Sequence, residues 1–196
     1  MVVLLVITMS ITWAFQIFAV STKVSTHTKN KIEAIQIARE WLEAFTNIRN
    51  TNWILFNADY KNCWNTLNYN KDCVAASAPA TSTDIDSWSY IIYKNTDNRW
   101  FLEPKATGLF SEQTYRDNFK VQKDANTLYT QSWWTDFLPI FTREIQVTYI
   151  NTAWPTPDSN DDKINIKSIV QWKDSSSNKP HKVKLETLIS NWRYKN

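Results

Sequence analysis

The stretch MVVLLVITMSITWAFQIFAVST, residues 1–22, carries no charged side chain, and the first charge follows at Lys23. Gln16 is its one strongly polar residue. Because a helix rises 1.5 Å per residue, this stretch would extend roughly 33 Å, enough to cross the hydrocarbon core of a bilayer. We therefore predict a helix that spans a membrane or is buried among similar helices. Its apolar surface is expected to comprise Val3, Leu4, Leu5, Ile7, Ile11, Phe15 and Phe18.

Two alternatives for this segment remain open. A cleaved signal peptide is suggested by Ala19-Val20-Ser21, but no basic region precedes the apolar stretch, which is longer than usual for such a peptide. An ordinary transmembrane anchor is the other alternative. The lysines after the span would then place the rest of the chain in the cytoplasm, unless further basic residues precede Met1.

The predicted helix continues beyond the apolar stretch. From Lys29 to about Asn50 there is no Gly or Pro, and apolar residues recur with the 3.6-residue helical period while charged residues occupy the remaining surface. We expect this amphipathic half to pack on a globular head. The residues predicted to make that contact are Ile35, Ala38, Leu42, Phe45 and Ile48. The predicted organisation is an apolar helix over 1–22, an amphipathic helix over 23–52 and a head over 53–196.

The head has the alternation of half-buried β-strands. Polar loops separate predicted strands at 89–93, 99–103, 143–151, 163–173 and 182–188, whereas 104–138 has no regular pattern. Successive strands joined by short loops favour an antiparallel sheet with one solvated face. The fold class predicted is α+β, with the long N-terminal helix covering the other face.

The cysteines are two, Cys63 and Cys73. A pair in an exported head suggests a disulfide, and two free thiols are the alternative. The spacing is not one of the known zinc patterns, and two ligands do not make a closed zinc site.

Composition excludes several functional classes. The net charge of +3 is too small to indicate nucleic-acid binding, and one glycine in 196 residues cannot form a phosphate-binding loop or a dinucleotide fingerprint. The two histidines, His27 and His181, lie outside known metal-binding spacings and are expected at the surface. With no nucleophile elbow and no acid–base pair, we expect neither an enzyme nor a cofactor or metal.

The eleven tryptophans are unusual beside a single glycine, where average usage predicts roughly 14. We hypothesise that several are UGA codons that the source reads as glycine; a Trp-rich protein from an AT-rich genome is the alternative. The candidates are Trp13, Trp41, Trp88, Trp133 and Trp154. At position 41 a tryptophan should be exposed or crowded, with Leu42 and Phe45 buried beside it. Native, well-packed tryptophans are expected at Trp53, Trp100, Trp172 and Trp192.

Three segments carry a resemblance to a known family: AREWLEAFTNIRNTNW at 38–53, VQWKD at 170–174 and HKVKLETL at 181–188. Together with the two-part helix they resemble the type IV pilin family, in particular minor pilins of the pilus-modification class and minor pseudopilins of type II secretion. Such proteins often have Arg-Glu-Gly-Leu-Glu-Ala at the first segment, and Trp41 stands at that glycine. The resemblance covers residues 53–138 poorly.

The resemblance implies a structural subunit that is held in the inner membrane by its apolar helix and then packs into a filament with other pilin subunits, its head outside the cytoplasm. Family members begin with a basic leader, a Gly cleavage site, an aromatic residue and a Glu, and this sequence matches from just after that Glu. We expect a start codon upstream of Met1, with a degenerate or non-processed relative as the alternative. Prepilin peptidase is expected as a partner only if that leader exists. A membrane-anchored extracellular binding domain or adhesin is the alternative function.

Overall fold

The computed structural model describes residues 1–74, 84–123, 129–131, 140–150, 163–174 and 179–191. Within these, one helix spans the first quarter of the chain. Helix α1 runs uninterrupted from Val2 to Leu55, a length of about 80 Å. No Gly or Pro interrupts it, and the hydroxyls of Thr8 and Ser10 donate to the carbonyls of Leu5 and Val6. The predicted apolar and amphipathic halves are therefore one continuous rod.

The head contains a five-stranded antiparallel sheet in the order β2-β1-β5-β6-β7. The hairpin predicted near residue 95 is confirmed, as are the three long strands near the C-terminus. The fold class is thus α+β, as predicted. The strand bounds are β1 Ser89–Lys94, β2 Trp100–Pro104, β5 Phe141–Tyr149, β6 Lys163–Trp172 and β7 His181–Ser190, while β3 Gln122–Lys123 and β4 Tyr129–Thr130 form a separate small ribbon.

The C-terminal half of α1 lies across one face of this sheet, mainly on β6 and β7. Ala38, Phe45 and Ile48 are buried there as predicted. Ile35, however, is 39% exposed and Leu42 is only partly buried. The predicted contact stripe is therefore rotated around the helix axis relative to the observed one. The residues that α1 actually buries are Ala34, Ile37, Ala38, Trp41, Ala44, Phe45, Ile48, Asn52 and Trp53.

The opposite face of the sheet is also covered, over β1 and β5. The sequence predicted that this face would be solvated, and that the segment 104–138, which contains the covering helix, would have no regular structure. Helix α3, Gln113–Phe119, packs Tyr115 and Phe119 against Ile91. Beside them the carboxylate of Glu144 is buried without a described cationic partner. It instead accepts hydrogen bonds from Ser89, Thr107, Tyr115 and Gln146 at 2.6–3.0 Å. Burial, aided by this carboxylate, raises the pKa of Tyr115, which keeps its hydroxyl a donor.

A compact loop closes the end of α1. The Asn52 side-chain amide donates to the carbonyls of Trp64 and Thr66, at 3.2 and 3.0 Å. A short helix α2, Tyr60–Cys63, leads into this loop, and Cys63 and Cys73 form a disulfide packed against Phe56. The disulfide therefore joins the two ends of the loop, and Asn52 fixes its N-terminal part to α1.

Replacing both Cys63 and Cys73 with Ala will lower the free energy of unfolding by about 3 kcal/mol, because the bond closes a loop of sequence separation 10 in the unfolded chain. Denaturant unfolding of the two proteins measures the difference. The intact native protein should weigh two hydrogens less than the reduced form. Two alkylatable thiols in the native protein would contradict the bond.

Candidate functional site: the exposed apolar helix and its junction with the head

The feature that most needs a partner is the N-terminal half of α1. Every residue from 1 to 26 is exposed, although the segment is the most apolar of the chain. Among the described residues, α1 is a helix long and apolar enough to span a membrane, a property that signal sequences share. The seven residues predicted to form its apolar surface, Val3, Leu4, Leu5, Ile7, Ile11, Phe15 and Phe18, are between 48% and 71% exposed.

The exposed apolar residues surround the helix. Val2 to Ile7 are consecutive and therefore point in every direction around the axis, and aromatic residues follow at Trp13, Phe15 and Phe18. A helix that is apolar all round is stable only inside lipid or inside a bundle of other helices. The hydroxyls of Thr8, Ser10 and Thr12 donate to carbonyls of the helix backbone, so they add no obstacle to such burial.

The two halves of α1 meet the head at a small polar cluster, His27, Asn30, Asp174 and His181, which we call the junction cluster. His27 is the first residue along α1 that is partly buried, since residues 1–26 are all exposed. Its Nδ1 lies 3.0 Å from Asp174 Oδ2, and His181 Nε2 lies 3.2 Å from the same oxygen. Asn30 donates to Asp174 Oδ1 at 2.6 Å.

The junction cluster is electrostatically favourable to a carboxylate. Burial by itself raises the pKa of Asp174, but the hydrogen bonds from His27 and Asn30 and the adjacent His181 outweigh it, so the pKa lies below its ordinary value. Trp172 contacts both imidazoles, with ring centroids 6.4 Å from His27 and 5.4 Å from His181. Sequence reasoning missed this cluster because its histidines belong to segments more than 140 residues apart, and neither has a neighbouring ligand in sequence.

A second unusual contact lies deeper under α1. Trp41 was expected to be exposed or crowded, and it is fully buried, so the first of these two alternatives is wrong. The Arg143 guanidinium carbon sits 2.6 Å from the centre of its indole, well inside the 3.5–4.0 Å at which carbon atoms pack best. No described group accepts a hydrogen bond from Trp41 Nε1 or from any side-chain nitrogen of Arg143. Burial lowers the pKa of Arg143 well below its ordinary value, and Glu40 opposes that effect only in part. Position 41 is therefore crowded.

The other tryptophans divide as follows. Trp53 and Trp172 are buried, and Trp100 is half-buried beneath Lys94. Trp13 and Trp88 are 67% and 54% exposed. Positive φ among described residues occurs at Asn68, Tyr69 and Asn98, so no described tryptophan has a backbone conformation that favours glycine. The structural support for the recoding hypothesis, that some tryptophans are UGA codons read as glycine, thus comes from the close contact between Arg143 and the Trp41 ring. Trp133, Trp154 and Trp192 lie outside the described residues.

Comparison with protein-family models, with curated proteins and with solved structures finds no match for this chain. The observation that bears on function is therefore the architecture. A long helix with an apolar N-terminal half packs on an antiparallel sheet that carries a disulfide-closed loop, an arrangement consistent with a pilin-like, membrane-anchored protein.

Proposed function

We propose that this protein is a structural subunit, a minor pilin or pseudopilin, of a type IV pilus or type II secretion-like filament. The observation that carries the proposal is the continuity of α1. One half is apolar on all sides and exposed in the described structure, while the other half is built into the head without a break between them. A cleaved signal peptide would require cutting the rod just before it joins the head.

The physical basis of assembly is an exchange between two apolar surroundings. In the membrane, lipid covers the N-terminal half of α1; in a filament, the same half packs among the equivalent helices of other subunits. Because neither surrounding contains water, the transfer leaves the apolar side chains buried throughout, and helix–helix packing supplies the gain. The helix satisfies its own backbone hydrogen bonds in both surroundings.

The proposed location follows from the same features. The apolar half would hold the subunit in the inner membrane before assembly, with the head outside the cytoplasm. A disulfide is stable in that oxidising compartment. Other pilin subunits would be the partners, and this structural role requires no catalysis, no cofactor and no nucleic acid.

Photo-crosslinking from inside the apolar segment tests the proposal. Phe15 is replaced by p-benzoylphenylalanine, and extracellular filaments are sheared from cells and irradiated. We expect the chain in the sheared fraction, joined to neighbouring subunits, because Phe15 is 69% exposed and would face another helix. Ile54 is the matched control: it lies on the same helix, is 75% exposed and belongs to the head end, so the same replacement there should give few crosslinks within the core.

The rival function, a single-pass anchored binding domain, gives a different result. The chain would then stay with the membrane after shearing, and Phe15 would crosslink to lipid. That outcome contradicts the filament proposal while leaving the membrane anchor intact.

A further inference from the structure

We propose that His27, Asp174 and His181 form a binding site for a divalent transition-metal ion of the zinc class, which fastens the rod of α1 to the head. The inference does not depend on filament assembly. Both histidines of the 196-residue chain converge on one carboxylate oxygen, although they come from opposite ends of the sequence. A chance surface position for each histidine would not bring them together.

The spacing of the donor atoms suits a metal ion. Asp174 Oδ2 lies 3.0 Å from His27 Nδ1 and 3.2 Å from His181 Nε2, and all three atoms fall within 4.8 Å of one another. With metal–ligand bonds of about 2.0 Å, two ligands of a tetrahedral zinc ion are about 3.3 Å apart. Two of the three donor–donor distances, those from the Asp174 oxygen to the two histidine nitrogens, are thus close to that value. The third closes by rotation of an imidazole, and His27, at 44% exposure, has room to rotate.

His181 gives a second indication. Its Nε2 is buried and makes no hydrogen bond with any described group, even though the Asp174 oxygen is only 3.2 Å away. The two atoms are therefore close but not aligned as donor and acceptor. Ligands arranged around a common ion have this relation, because each lone pair points at the ion and not at the other ligand.

Neighbouring residues hold the ligands in place. Asn30 donates to the second oxygen of Asp174, which orients the carboxylate as second-sphere groups do in metal sites. Strand pairing opposite Trp172 positions His181 at the start of β7, and the Trp172 ring lies against both imidazoles. The ligands thus come from α1, from the end of β6 and from β7, so one ion would join all three.

The site also has access and an open position. A cavity of about 490 Å³ is lined by His27, Asn30 and Asp174, together with Lys23 and Lys173. Three protein ligands leave a fourth position for water or, given the two ammonium groups nearby, for an anion such as chloride or hydroxide. Imidazole and carboxylate ligands select zinc, cobalt, nickel or copper over calcium and magnesium, which prefer oxygen alone.

The test uses the full chain in detergent, stripped with a chelator and titrated with Zn²⁺ or Co²⁺ alone. We expect one ion per chain, visible bands of four-coordinate Co²⁺, and a rise in Tm with Zn²⁺ but not with Ca²⁺. Asp174→Asn and His181→Ala should weaken Zn²⁺ binding by more than about 100-fold, and Asn30→Ala by about 10–100-fold, the usual loss on removing a second-sphere group.

Controls keep the result decisive. Glu186→Gln removes an exposed carboxylate from the same strand as His181 and should leave Zn²⁺ affinity unchanged. His27→Gln alters the most exposed ligand, so it should fold even if the buried variants do not, and it should also lose binding. No Zn²⁺ binding by the native chain, equal stabilisation by Ca²⁺, or undiminished binding by a folded His27→Gln protein would overturn the proposal.

Discussion

A chain that begins at Ser25 will remain in solution without detergent, whereas the full chain will require detergent or lipid. The residues removed are all exposed, so we expect the head to fold without them. Each large apolar side chain contributes about 1.5–3 kcal/mol when it leaves water, so the segment as a whole favours an apolar surrounding by on the order of tens of kcal/mol. Sedimentation after detergent removal measures the difference, and circular dichroism with an intact disulfide checks that the truncated chain is folded.

Point variants refine this expectation within the full chain. Ile11 and Ile32 lie on the same helix and are 50% and 53% exposed, but Ile11 is central to the apolar segment and Ile32 lies beyond it. Ile11→Arg should reduce membrane retention strongly, because a central arginine costs about 2.5–3.5 kcal/mol on insertion scales. Ile32→Arg should have no effect. A truncated chain that aggregates as the full chain does would contradict the two-part architecture.

Trp41→Gly will leave the free energy of unfolding unchanged or raise it by up to about 2 kcal/mol, because relief of overpacking is worth about 1–3 kcal/mol and glycine in a helix costs about 1 kcal/mol. The Arg143 guanidinium carbon lies 2.6 Å from the centre of the indole, and neither side chain has a described hydrogen-bond partner. Removing the ring relieves that contact and lets α1 approach the sheet, against a helix-propensity cost of about 1 kcal/mol for glycine. Removal of a normally packed tryptophan would instead lower the free energy of unfolding.

Trp53→Gly is the matched control, measured by the same denaturant unfolding. Trp53 is also buried on α1 and also lies under an arginine, but Arg49 stands 4.5 Å from its ring centre, an ordinary stacking distance. Its removal should cost about 3–5 kcal/mol, the usual loss for a buried tryptophan. If Trp41→Gly is as destabilising as Trp53→Gly, or if the coding DNA has UGG at position 41, the recoding hypothesis is wrong there.

Local pattern was enough for the long helix and for the five strands of the main sheet, because their causes are local. No Gly or Pro breaks the stretch from Val2 to Leu55, and its apolar residues beyond Lys29 follow the helical period, so it forms one continuous helix. Strict alternation determined the inward faces of the late strands: Ile145 and Val147 on β5 and Ile164 and Ile166 on β6 are all buried. The cysteine pair was also found correctly, since the two cysteines lie ten positions apart in one short segment and have no other cysteine with which to pair.

The phase of the helix was not decided locally. Both the predicted stripe through Ile35 and Leu42 and the observed one through Ile37 and Trp41 satisfy a 3.6-residue period. Only the shape of the sheet selects between them, since the stripe that packs on the surface formed by β6 and β7 becomes part of the core. Helix α3 escaped prediction for a related reason: seven residues carry too weak a period, and burial of Tyr115 against Glu144 stabilises them instead.

What the sequence by itself determined is thus the two-part rod and the antiparallel head, because hydrophobic period, strand alternation and the absence of breakers act over neighbouring residues. Tertiary structure alone decided which groups meet across the chain. It placed Arg143 under Trp41, and it brought His27 and His181 to the carboxylate of Asp174. Such contacts depend on where a long helix crosses a sheet, and no pattern along a single segment encodes that crossing.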